Sequence, residues 1–90
     1  MIDTWKFYKK LRDTGLSEVK AEALVDNFRL VDLVRSGKLA DEQAITSHVE
    51  TLTKRMIEVE FTEEQARVIL EPLVDMAHTA LQIRRQEIAA

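Results

Sequence analysis

Apolar residues recur along the chain at three- and four-residue spacing, in four stretches separated by short polar or glycine-bearing breaks. That period lines one side of an α-helix, whereas a half-buried strand would alternate every second residue. The first stretch predicts a helix from about Asp3 or Thr4 to Thr14. Asp3 and Thr4 can each offer an oxygen to the unpaired amides of a first turn. Lys9, Lys10 and Arg12 lie toward the negative end of the helix dipole, and Gly15 suits the left-handed residue that ends a helix. Phe7 and Leu11 share the face assigned to a neighbouring helix.

The second helix is predicted from Ser17, a capping residue, to about Arg35. Ala21, Leu24, Val25, Phe28 and Val31 form its stripe, and Leu30, Leu33 and Val34 widen it toward the C-terminal end. A stripe this broad predicts contact on two sides. Gly37 is the next stop. The third helix is predicted from near Asp41 to about Glu58, with Ile45, Val49, Leu52, Met56 and Val59 in register. The fourth opens on Thr62-Glu63-Glu64-Gln65, the pattern in which hydroxyl and amide side chains cap each other's backbone. Its stripe runs through Ile69, Leu70, Leu73, Met76, Ala77, Ala80, Leu81 and Ile83. Pro72 lacks the amide that would bond the Val68 carbonyl, so a kink or split is expected there.

The chain also repeats itself at an offset of about 45 residues. Leu11, Leu16, Ser17, Glu18, Ala21, Leu24, Val25 and Phe28 align with Met56, Phe61, Thr62, Glu63, Ala66, Ile69, Leu70 and Leu73. Glu60 stands where the first copy has Gly15, and Pro72 where it has Asn27. Leu16 and Phe61 are expected to plug the open ends of their hairpins, and Ala21 and Ala66 to let helices approach closely. The expected fold is therefore all-α. Four helices form two tandem α-hairpins, at about 3–36 and 41–88, that make one small bundle, closed within a chain or completed by oligomerisation.

Composition supports this class. Two glycines and one proline leave little turn material for a many-stranded fold. Ninety residues make one domain, and a domain of that size buries only about 60–65% of its unfolded surface. With no cysteine, disulfides and thiolate zinc sites cannot reinforce it, so tight packing or self-association must. The cysteine-free composition also fits a cytoplasmic chain. No apolar run approaches the roughly 20 residues of a membrane span, and no signal-peptide core is evident. A net charge of −3 argues against a dedicated nucleic-acid binder, which carries a basic excess.

The first half has a more distinctive pattern. Ile2-Asp3-Thr4, Phe7, Leu11, Gly15-Leu16-Ser17 and Ala21-Glu22-Ala23-Leu24-Val25 stand at fixed spacing. Over residues 2–34 this resembles the head domain of the coiled-coil family that includes the mitochondrial calcium uniporter regulator and its bacterial relatives. Phe61-Thr62-Glu63-Glu64-Gln65-Ala66 is similar to the same head-domain turn again. The resemblance implies a helical, oligomeric interaction module with no known chemistry. The family's long heptad stalk and C-terminal membrane anchor have no counterpart in the remaining residues.

The search for chemistry narrows the functional classes. His48 and His78 do not form a His-Glu-x-x-His pair, and His78 with Asp75 reads as a surface hydrogen bond. No glycine-rich phosphate loop is present, and Ser47 beside His48 diverges from it on a helix. Glu58, Glu60, Glu63 and Glu64 lie where carboxylates favour a helix N-terminus, without the glycine a calcium loop needs. No catalytic, metal-binding or cofactor-binding residues are assigned. Helix 1 is basic and aromatic, and Trp5, Tyr8, Lys9 and Arg12 are assigned as the partner-binding face. Leu30, Leu33, Val34, Met76 and Ile83 are assigned to self-association, with a dimer favoured. The expected function is a non-enzymatic protein–protein interaction module. The alternative is a small nucleic-acid-associated or host/phage regulatory protein acting through helix 1.

Overall fold

The computed structural model describes residues 3–89, and all regular structure among them is helical. Four helices follow in order: α1 (Thr4–Asp13), α2 (Glu18–Arg35), α3 (Glu42–Glu58) and α4 (Glu63–Ala89). Ile2 of the first motif lies outside the described residues.

Each helix begins where its capping chemistry dictates. The Asp3 carboxylate accepts from the Lys6 amide, the Ser17 hydroxyl from Lys20 and the Asp41 carboxylate from Ala44. At α4 the reciprocal cap is complete. The Gln65 amide donates to the Thr62 hydroxyl, and the Thr62 amide donates to the Gln65 side chain, both at 3.0 Å. The helix ends are equally local. Gly15 and Gly37 take φ of +93° and +82°. Glu60, standing where the repeat replaces Gly15, adopts the same left-handed conformation at φ +74°. The repeat therefore preserves the turn even where it loses the glycine.

Pro72 does not split α4, which runs through it as one element of 27 residues. Pro72 is exposed, so water can reach the backbone carbonyl that its missing amide leaves unpaired. At about 1.5 Å per residue α4 spans roughly 40 Å, most of the 46 Å long axis of the molecule.

Helices α2, α3 and α4 touch each other pairwise, whereas α1 touches α2 alone. The main core joins Leu30, Val31 and Val34 of α2, Ile45 and Leu52 of α3, and Leu70, Leu73, Ala77, Ala80 and Leu81 of α4. A smaller cluster at the hairpin-turn end unites Ala23, Met56 and Ala66, with Phe61 packed against it. Ala21 and Ala66 are fully buried, as close helix approach requires. Helices α2 and α4 run in the same direction. Ala23 and Ala66 share a cluster near their starts, and Arg84 donates to the Arg35 carbonyl at 2.9 Å toward their ends.

The bundle is thus three helices around a core with α1 laid against α2. Phe7 reaches Phe28 edge-on at 4.6 Å between ring centroids, but no residue of α1 is fully buried. Ten residues presenting chiefly Phe7 and Leu11 to one neighbour are too few to close a fourth side.

Candidate interaction surfaces

Three exposed apolar side chains share one side of α4. Val68 is 59% exposed, and Met76 and Ile83 are each 51% exposed. Pro72 and Thr79 are exposed between them. At 100° per residue, positions 68, 72, 76, 79 and 83 fall within about 80° of helix surface. Gln65 and Gln86, also exposed, continue the line at either end. None of these seven residues carries a charge, although charged residues make up 32% of the chain. An exposed apolar line rimmed by polar residues is the usual mark of an interaction site.

Of the five residues assigned to self-association, the structure brings only Met76 and Ile83 to this face. Leu30 and Val34 are fully buried within the chain, where they supply the core between α2 and its neighbours. They are corrected from surface to core. The broad stripe of α2 arises because α1, α3 and α4 all pack on it. Leu33 is half-buried and lines a shallow groove with Arg29, Asp32 and Lys38. Val68 was not singled out from sequence. Its signal was the side of α4 opposite Leu70, where it joins Pro72 and Met76 at four-residue steps.

A second surface surrounds α1. Trp5, 64% exposed, stacks on Tyr8 with ring centroids 5.8 Å apart and planes 15° from parallel. The Lys9 ammonium lies 5.3 Å from the Trp5 ring centroid. Trp5 and Tyr8 form one wall of a groove of about 630 Å³ whose other residues include Glu18, Glu22, Val25, Arg29 and Arg55. Arg55 of α3 bridges Glu22 at 3.7 Å and Asp26 at 3.6 Å, and Arg29 also reaches Asp26. Sequence spacing gave no sign of this bridge, because it joins residues 29 and 33 positions apart on different helices. Among the described residues, Lys6, Lys9, Lys10 and Arg12 form no ion pair with a carboxylate. Lys9 and Arg12 are exposed beside the two aromatic rings, so the four residues of the assigned face are neighbours on one helix.

The remaining chemistry is sparse. His78 is half-buried in a groove of about 470 Å³ beside Val49 and Val74. It makes no hydrogen bond to Asp75, whose backbone carbonyl instead accepts from the Thr79 hydroxyl. Glu64 accepts two hydrogen bonds of 2.6 Å from Arg67. That contact raises the Arg67 pKa above its usual value, and the nearby Glu71 adds to it. Among the described residues no group of His, Asp and Glu side chains is placed to hold a metal ion. No described helix is long and apolar enough to cross a membrane.

Fold and surface together define a small all-α bundle with an uncharged apolar helix face and a basic aromatic helix on its flank. No protein-family model matches the chain, and no curated protein or solved structure matches it.

Proposed function

We propose that the chain is a non-enzymatic helical interaction module that self-associates through α4 and binds a partner protein through α1. The observation that carries this reading is the uncharged line Val68-Pro72-Met76-Ile83, which leaves three large apolar side chains at least half exposed on one helix. Burying such surface is worth about 25 cal/mol per Å², and no described residue covers the exposed part of it. The resemblance of residues 2–34 to an oligomeric head domain supports the same reading. Sedimentation equilibrium at micromolar concentration tests it. Self-association is expected in the native chain and its loss in Met76→Glu. A native chain that stays monomeric refutes it.

A second reading has its own support, the four unpaired cations of α1. If they bind nucleic acid, a gel-shift at low salt shows a complex that weakens linearly with log salt. Reversing Lys6, Lys9 and Lys10 to Glu then abolishes it. Absence of a shift removes this reading.

A further inference from the structure

Helix α1 divides its apolar and charged side chains more sharply than the other three helices do. At 100° per residue, Phe7, Leu11, Tyr8 and Trp5 fall within about 160° of its surface, and Lys9, Lys6 and Lys10 within about 100° of the remainder. Arg12 stands at the border beside Trp5, where its stem can lie along apolar surface while the guanidinium reaches outward. Between Asp3, which caps the helix, and Asp13, which ends it, the sequence has no carboxylate. The rest of the chain is acidic, since the whole carries a net charge of −3.

A basic polar face opposite an aromatic and aliphatic one is the make-up of a helix that lies in the interface of an anionic bilayer, with Trp and Tyr at headgroup depth. Ten residues rise about 15 Å, half of the roughly 30 Å hydrocarbon core, so such a helix lies on the surface and does not span it.

The attachment of α1 leaves it free to do this. It touches α2 alone and contains no buried residue. Docked, it turns Phe7 toward Phe28 and keeps Tyr8 and Leu11 half-buried, with Trp5 exposed. A bilayer takes all four. The carboxylates that share a groove with its aromatic rings, Glu18, Glu22 and Asp26, belong to α2, so release also carries the cations away from them.

A nucleic acid fits this helix less well. Bases stack on open ring faces, whereas Trp5 is stacked on Tyr8 at 5.8 Å and has the Lys9 ammonium over its ring at 5.3 Å.

We propose that α1 is a reversible anchor for an anionic lipid surface, leaving its seat on α2 to lay Trp5, Phe7, Tyr8 and Leu11 into the headgroup boundary. The proposal goes beyond the interaction-module reading and does not depend on self-association through α4.

Flotation of the full chain with lipid vesicles tests it. At low salt the native chain floats with vesicles of phosphatidylcholine mixed with phosphatidylserine, and stays behind with phosphatidylcholine alone. Each lysine near an anionic surface is worth about fivefold in binding, so Lys6→Gln combined with Lys10→Gln weakens flotation about 25-fold. Lys38→Gln combined with Lys54→Gln removes the same charge from exposed residues outside α1 and leaves flotation as in the native chain. Trp5→Ser weakens it, and Phe28→Ala, which loosens the seat on α2, raises it. Circular dichroism checks that each variant remains helical.

No flotation with the anionic vesicles overturns the proposal, as does equal flotation with both lipids. An oligonucleotide that shifts on a gel while the vesicles stay bare assigns the cations to nucleic acid instead. Equal losses in the two lysine pairs, or no loss in Trp5→Ser, overturn α1 as the anchor. Flotation of Phe28→Ala no better than that of the native chain overturns the release from α2.

Discussion

Asn27 is the one polar residue that the described structure buries completely, and its amide is only half satisfied. The side-chain nitrogen donates to the Met56 sulfur at 3.2 Å, and Oδ1 has no partner. A buried acceptor left unpaired costs about 1–3 kcal/mol, and a thioether is a weak acceptor that returns little of it. Asn27→Leu keeps the branching at Cγ, removes the orphaned carbonyl and adds apolar contact with Met56. Its two methyl groups are bulkier than the amide, and overpacking opposes part of the gain. The expected net effect is stabilisation by about 1 kcal/mol. For a domain of 60–100 residues that raises Tm by roughly 4–8 °C. Thermal unfolding followed at 222 nm measures it, with Asn27→Ala alongside. Alanine removes the same carbonyl but leaves a void, so it should melt below the leucine variant. A leucine variant melting at or below the native chain refutes the reasoning. It would mean that Oδ1 is satisfied in solution, or that the site cannot accept the methyl groups.

The turns provide the remaining predictions. Gly15→Val should destabilise by about 1 kcal/mol or more through backbone strain alone, because a Cβ at Gly15 meets nothing within 4 Å; an unchanged melting temperature would rule that strain out. Gly37→Ala should cost more than Gly15→Ala in the same assay. Its Cβ would stand 2.5 Å from the Arg84 guanidinium, which holds the Arg35 carbonyl. Glu60→Gly should stabilise by about 1 kcal/mol, since it relieves a non-glycine residue at φ +74°; a lower urea midpoint would contradict this.

Much of the fold was legible because it is written in short-range chemistry. Asp3, Ser17 and Thr62 cap the helices they were expected to cap, Asp41 caps the helix expected to begin near it, and each acts on an amide three residues away. The repeat was equally readable at the turns, where Gly15 and Glu60 share a left-handed backbone and Ala21 and Ala66 are both fully buried. It breaks at positions 27 and 72, where the sequence already departs from the repeat and the structure gives the two residues opposite surroundings. Asn27 is sealed against Met56, while Pro72 faces outward on a continuous helix. The candidate surface was half legible. An apolar residue at helical spacing declares that it can be buried, and only the packing of other helices decides whether it is. Leu30 and Val34 found neighbours in α3 and α4; Met76 and Ile83 did not.

The attachment of α1 to a single neighbour has a spectroscopic consequence. Trp5 is the chain's single tryptophan, and it sits on the one helix that contributes no fully buried residue. Segments with so little burial open at lower free energy than the core. Tryptophan emission therefore follows the undocking of α1 from α2, whereas far-ultraviolet ellipticity is dominated by the 62 residues of α2, α3 and α4. The two signals should part on heating, with emission changing first. A melting point taken from fluorescence would describe one hinged arm rather than the stability of the domain.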